Sequence, residues 1–248
     1  MSLMIYLNDI AIVPTIFPDR TSQVWKLKTL SGRVRWEFQG ENEFMHLAQL
    51  SELLEKPKKL YMPYLPYARQ DKDISNEKTF AFRVFAKLLN SLDFDEVSSL
   101  DPHSAVPSGL IKNFEALSAH SYIEKAIHAC GASVVCYPDK GALDKYGYLP
   151  HKFIHAEKTR DPATGVILKM EVIGGASGHT VLIVDDICDG GSTFEMLSKK
   201  LITAGVDKVC LYVTHGIFSR GTKELLLSGI SRIFTHDGEV FGSTYKPW

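Results

Sequence analysis

The run 181–194, VLIVDDICDGGSTF, constrains this chain more than any other segment. Four apolar, mostly β-branched residues predict a buried strand. Two carboxylates end it, a small-residue loop follows, and Phe194, Leu197 and Leu201 then recur at helical spacing. In open α/β sheets, ligands bind beyond the carboxyl ends of the strands, where such a loop must lie. Gly190 and Gly191 let backbone N–H groups converge on an anion, and the following helix N-terminus favours negative charge. Ser192 and Thr193 add hydroxyl donors. Asp185 and Asp186 would repel a phosphate, so their natural partners are vicinal sugar hydroxyls or a metal ion. Acidic residues at a helix N-cap are the simpler explanation, but two acids ahead of D-G-G-S-T ask for a ligand.

The rest of the chain repeats the strand-then-helix order. Lys59–Met62, Glu96–Leu100, Ala132–Cys136, Val181–Val184 and Lys208–Val213 predict strands of a buried, mainly parallel sheet. Helical spacing marks Asn42–Leu54, Lys78–Leu92, Ser192–Ala204 and Thr222–Leu227. The alternation predicts an α/β fold with crossover helices. Met4–Val13, Gln23–Lys28 and Arg33–Phe38 instead suggest three strands of an antiparallel or mixed edge. A break near Ala116–His120 separates two such blocks, expected as domains over 1–117 and 118–248.

Charge excludes several functions. Twenty-eight basic side chains against 29 acidic ones leave a net charge of −1, so no global field grips nucleic acid or an anionic membrane. No run approaches the roughly 18 apolar residues of a spanning helix. The start carries Asn8 and Asp9 and lacks the pattern of a signal peptide. Four cysteines, Cys130, Cys136, Cys188 and Cys210, sit in apolar stretches without a C-x-x-C pair, as buried thiols of a cytoplasmic protein would. A Walker A loop is excluded because the chain has no Gly-Lys dipeptide, and no dinucleotide-binding G-x-G-x-x-G follows a strand.

The strand–Asp–Asp–loop–helix resembles the phosphoribosyl diphosphate (PRPP) motif shared by phosphoribosyltransferases and ribose-phosphate pyrophosphokinases. Further segments favour the pyrophosphokinases: 62–71 (MPYLPYARQD) is similar to an ATP-contacting segment, 101–104 (DPHS) to a D-x-H metal turn, 137–141 (YPDKG) to a P-D-x-G turn, and 214–219 (THGIFS) to a segment typical of the family. The resemblance implies two phosphoribosyltransferase-like domains, Rossmann-like and mainly parallel, the first for ATP and the second for the sugar phosphate. It implies that Arg69, Gln70 and Asp71 hold ATP, with His103 beside the phosphates. His103 and Asp139 match magnesium ligands, although imidazole is an unusual partner for hard Mg²⁺ by its own chemistry. Phe17 and Asp19, in FPDRT (17–21), resemble a hairpin that reaches ATP from a neighbouring subunit, implying a homodimer or higher homo-oligomer. Thr21 stands where the family has an acid. Lys158 and Arg160, in EKTRD (157–161), fall where the family carries a flexible catalytic loop. Asp185, Asp186, Asp189, Gly190, Gly191, Ser192 and Thr193 would hold the sugar phosphate.

The implied activity is a transferase passing the β,γ-diphosphate of Mg-ATP to the anomeric 1-hydroxyl of ribose 5-phosphate, for nucleotide biosynthesis. The usual phosphate loop reads D-T-G-G-T. Here Gly190 replaces a threonine, opening space that would suit ADP-ribose as acceptor, a reaction of NAD metabolism. A phosphoribosyltransferase would use the same loop without needing the Arg69–Asp71 segment. A non-catalytic regulatory homologue would be expected to lose charged residues that this chain keeps at Lys158 and Arg160.

Overall fold

The computed structural model describes residues 4–28, 30–72, 79–160 and 167–240, with the side chains of Arg160 and Ile167 outside that description. Contacts divide the chain into two compact units, Met1–Ser118 and Ala119–Pro247. Both are α/β with mainly parallel sheets.

The first unit opens with β1 (Ile5–Leu7) and β2 (Ile10–Ala11), an antiparallel hairpin. One continuous strand over Met4–Val13 is therefore not formed. Asn8 and Asp9 both take left-handed φ values, 49° and 63°, which suits a tight two-residue turn. The Asn8 side chain holds that turn by donating to Ser31 O and accepting from Arg33 N–H. Next come β3 (Thr15–Ile16) and β4 (Ser22–Gln23), a separate short hairpin. The strand expected over Gln23–Lys28 stops at Gln23, and Val24 N–H is taken instead by the Gln49 side chain.

From there the chain winds in order through β5 (Gly32–Trp36), α1 (Glu43–Leu53), β6 (Lys58–Met62), α2 (Ala81–Asn90), β7 (Glu96–Leu100), α3 (Val106–Leu110) and β8 (Phe114–Leu117). The sheet order is β2-β1-β5-β6-β7-β8, and β5 to β8 run parallel. Trp36, Leu47, Leu50, Leu60, Met62 and Phe82, all essentially buried, form its core. The helix expected over Lys78–Leu92 spans Ala81–Asn90, and Lys78 lies outside the described residues.

The second unit holds α4 (His120–Cys130), β9 (Val134–Tyr137), α5 (Lys140–Tyr146), β10 (Phe153–Arg160), β11 (Ile167–Ile173), β12 (Thr180–Cys188), α6 (Ser192–Thr203), β13 (Lys208–Gly216), α7 (Lys223–Leu227), β14 (Ile230–Thr235) and β15 (Gly238–Val240). Its sheet order is β11-β10-β9-β12-β13-β14-β15, parallel from β10 to β14 with an antiparallel hairpin at each edge. The continuously apolar strands follow from burial of both faces. Val134 and Cys136 of β9 pack with Val181 and Ile183 of β12 and with α6, whereas Val135 and Tyr137 pack with Leu182, Val184 and α4.

Two expectations are corrected here. The strand does not end at Val184 but runs through both carboxylates to Cys188. Residues 157–160 are not a loop: they are the far part of β10, paired with β11 in the register Glu157↔Glu171 and Lys158↔Met170. Beyond His155 the strand has left β9, so it continues as a two-stranded ribbon. Asp161, the last residue of EKTRD, lies outside the described residues.

Candidate active site

Strand order locates the site in the second unit. From β9 the chain moves outward to β10, and from β12 it moves the opposite way to β13 and β14. β9 and β12 are hydrogen-bonded neighbours at this reversal, so the loops leaving their carboxyl ends diverge and open a crevice. Asp139 follows β9 there; Asp185 and Asp186 stand near the carboxyl end of β12, and the 189–191 loop follows that strand.

Each side chain has a local cause. Asp139 has an extended backbone and is the N-cap of α5, its carboxylate accepting from Ala142 N–H at 2.9 Å. Its other oxygen receives Lys158 Nζ at 2.5 Å. Lys158 arrives from β10, where Ile154 and Ala156 are buried and Lys158 continues the same alternating face. Asp185 accepts from Asp186 N–H at 2.9 Å. Asp186 is 5% exposed, and Lys145 Nζ of α5 lies 3.6 Å from its carboxylate. The alternation of β12 breaks near here, since Cys188 packs with Val181 and Ile183 rather than with Leu182 and Val184.

Three carboxylates thus share one small region with two lysines. Burial, then the negative charges of Asp186 and Asp139, push the Asp185 carboxyl well above its ordinary value. Burial also acts upward on Asp139, but the Lys158 and Ala142 hydrogen bonds outweigh it and hold that carboxyl low. The region is a charge-compensated acidic site suited to hydroxyl groups.

Next to it, the loop leads into the N-terminus of α6, a position whose backbone N–H groups suit an anion. Gly191 has φ +83° and is the N-cap of α6 with no side-chain cap, so the first helical N–H groups are not capped by its own residue. A Cβ on Gly191 would stand 3.1 Å from Leu225 Cδ2, so glycine is required twice. Ser192 is exposed and Thr193 half-buried. The 214–219 segment is a brace: His215 is buried, and Phe218 N–H bonds Cys188 O at 3.0 Å, tying the next turn to the end of β12.

In the first unit, Arg69 and Gln70 are exposed after β6, while Asp71 between them and the core is buried. Left-handed Tyr67 turns this segment, and Gln70 N–H bonds Tyr67 O at 2.9 Å. His103 is exposed just after β7, the strand beside β6. Phe17 is 41% exposed at the β3–β4 turn. Asp19 Oδ1 is engaged inside that turn by Thr21 N–H and Oγ1 at 3.0 and 2.7 Å, which lower its pKa.

Among the described residues, no three His, Cys, Asp or Glu side chains converge as a metal cage. Asp139 already receives a lysine and a backbone N–H, and His103 offers a soft donor to a hard cation. Taken each in its own unit, neither residue presents the oxygen-rich ligand set of a resident Mg²⁺.

Lys145 is the site residue that the sequence reading missed. It lies on the helix that follows the P-D turn, and only the fold brings that helix beside Asp186. Among the described residues, no helix is long and apolar enough to cross a membrane.

No protein-family model matches the chain. The ribose-phosphate pyrophosphokinase of Pyrococcus abyssi is 31% identical over 193 residues, covering 74% of this chain and 66% of that protein. That of Pyrococcus furiosus is 30% identical over 183 residues, covering 71% and 64%. That of Mycobacterium bovis is 30% identical over 179 residues, covering 67% and 54%. The chain therefore spans about half to two thirds of these relatives' length. The phosphoribosylpyrophosphate synthetase of Mycobacterium smegmatis has the same fold, with a TM-score of 0.77 at 21% identity over 96% of this chain and 86% of that one. Taken with the acidic strand end and the glycine loop, these likenesses establish that the chain belongs to the ribose-phosphate pyrophosphokinase family.

Proposed function

We propose that the chain transfers the β,γ-diphosphate of Mg-ATP to the anomeric 1-hydroxyl of ribose 5-phosphate, giving PRPP and AMP. The observation that carries this reading is the meeting of Lys158, Asp139, Asp185 and Asp186 beside the glycine-led N-terminus of α6. Carboxylates for hydroxyls, N–H groups for a phosphate and a lysine for transferring charge make up the functional groups that such a transfer needs.

Asp185 and Asp186 would hold the 2- and 3-hydroxyls, and Lys145 would keep Asp186 from excessive negative charge. The 5-phosphate would sit on the N–H groups of 189–191 with Asp189 shaping the loop and Ser192 and Thr193 donating hydroxyls. Arg69 and Gln70 would take the nucleotide, Arg69 by paired N–H bonds to phosphate and Gln70 at a base edge. Asp71, being buried, would orient that segment rather than touch ATP. His103 would donate to phosphate as a hydrogen-bonding imidazole. Phe17 would stack on adenine, with Asp19 beside it, from a second copy of the chain.

The 1-hydroxyl oxygen then bonds to the β-phosphorus as the bond from that phosphorus to the α-phosphate oxygen breaks. AMP leaves with that oxygen, and the hydroxyl proton passes to solvent. Lys158, joined by Arg160, would neutralise charge on the transferring group, the main need of phosphoryl-type transfer. Mg²⁺ on the ATP phosphates supplies further charge neutralisation. ADP-ribose is the second acceptor, favoured by Gly190: a Cβ there would lie against Arg220 Cδ at 3.4 Å, so glycine leaves room that a side chain would take up.

The test is direct. Purified protein is incubated with Mg-ATP and either ribose 5-phosphate or ADP-ribose, and AMP release and product mass are recorded. AMP with a product heavier by a diphosphate supports the proposal; AMP release with neither acceptor overturns it.

A further inference from the structure

The side of the phosphate loop opened by Gly190 is bordered by an arginine that the family resemblance does not assign. Arg220 Cδ lies 3.4 Å from where a Cβ on Gly190 would sit. The residue is exposed, so its guanidinium is available to solvent. Its position is fixed by the same strand that carries the loop. Phe218 N–H bonds Cys188 O at 3.0 Å, and Gly221 N–H closes the turn onto Phe218 O at 2.7 Å. Phe218 itself is 4% exposed, which anchors the turn in the core. None of the ion pairs among the described residues uses Arg220.

The two flanks of the loop differ in charge. On the Gly191 side, a Cβ would meet Leu225 and, at 3.5 Å, the carboxylate of Glu195. That flank is filled and acidic. On the Gly190 side the absent side chain leaves room against the cationic stem of Arg220. An acceptor phosphate held at the α6 N-terminus can therefore be extended past Gly190 toward Arg220. A guanidinium binds a phosphate diester or diphosphate through paired N–H bonds.

We propose that Arg220 is a specificity-determining residue, gripping a second phosphate that the acceptor carries beyond its 5-phosphate. It thereby favours binding of the second acceptor, a diphosphate-bearing ribose, without altering the hold on ribose 5-phosphate. The proposal rests on the acceptor role given above to the 189–193 loop. Threonine at 190 would narrow the opening with its side chain, so Gly190 and Arg220 act as a pair.

The test compares wild type with Arg220→Ala and Arg220→Lys, using ADP-ribose and ribose 5-phosphate separately. The expected result is that Arg220→Ala raises KM for ADP-ribose by about tenfold or more, the scale of one lost charge-assisted hydrogen bond. Its kcat and its KM for ribose 5-phosphate should stay close to wild type, and Arg220→Lys should recover part of the loss. An equal loss for both acceptors, or no change for ADP-ribose, overturns the proposal. Calorimetric binding of ADP-ribose without ATP separates this idea from the transfer reaction. Weaker binding by Arg220→Ala supports the contact even if no AMP is formed, and equal binding by both proteins overturns it even if AMP is.

Discussion

Lys158 Nζ stands 2.5 Å from Oδ2 of Asp139, joining the β10–β11 ribbon to the N-cap of α5. The pair couples the group proposed to neutralise transferring charge to a carboxylate that also holds a helix start. Either partner can be removed, and the two removals should have different effects.

Lys158→Ala should lower kcat by about a hundredfold, the scale of losing one preorganised electrostatic contact. KM for the acceptor should change by less than about threefold if Lys158 acts in the transition state rather than in binding. Steady-state kinetics with AMP detection reads both. A rise in KM at unchanged kcat would assign Lys158 to binding instead.

Asp139→Ala should cost about 1 kcal/mol of stability through the lost cap at Ala142. Asp139→Asn keeps an oxygen for the cap and discards the charge. It should therefore melt between wild type and Asp139→Ala, keeping the cap but losing the pair with Lys158, while changing the pH dependence of turnover. Thermal melts of the two variants side by side separate capping from charge.

Lys145→Met should raise the pKa of the Asp185–Asp186 carboxylates, because a cation 3.6 Å from a buried carboxylate favours its charged form. The acid limb of the kcat/KM profile should move to higher pH, while the alkaline limb stays. An unmoved acid limb would mean that these carboxylates do not set it.

Asp185 bears on stability as well. Its folded pKa is raised, so the folded state holds a proton that the unfolded chain releases earlier. Stability from this group is therefore lost as pH climbs from the ordinary carboxylate value through the raised one. Asp139 has the opposite sign, its contribution being lost as pH falls through its lowered value. Asp185→Asn should accordingly melt above wild type at pH 8, with the gap closing toward pH 4, while losing activity. Differential scanning calorimetry across that range measures it.

Gly191→Ala should destabilise by about 1–2 kcal/mol, from strain at a positive φ and the close approach of Leu225. Gly190→Thr meets neither penalty and should stay within about 0.5 kcal/mol of wild type. Urea denaturation of both variants tests the contrast.

The sequence carried the acidic strand, the glycine loop and α6 plainly, because both local patterns and sheet burial agree there. It failed at β10, where EKTRD looks like a solvated loop. The ribbon lies at a sheet edge, so only half of its alternation is apolar: Ile154 and Ala156, then Lys158 on the same face. Counting by twos from Ile154 would have placed that lysine inward. α4 carried a readable signal that was missed: Ile123, Ala126, Ile127 and Cys130 fall at i, i+3, i+4 and i+7, the spacing of one helical face. Lys145 beside Asp186 and Arg220 beside Gly190 had no local signal, since each pair is made by strand order alone. The residues proposed for ATP were found by motif, and geometry added that Asp71 faces inward while Arg69 and Gln70 face solvent.

The reversal of strand order between β9 and β12 makes the β10–β11 ribbon a detour. The chain leaves the central ladder after β9, builds the ribbon at the edge, and returns to pair β12 directly with β9. A lineage could shorten, lengthen or recharge that detour without breaking the ladder that holds Asp139, Asp185 and the glycine loop. On the proposed roles, binding and turnover are thus encoded in separable stretches of one unit. Sequence drift in a duplicated gene could silence the lysine arm and leave a sensor of the same sugar phosphate behind.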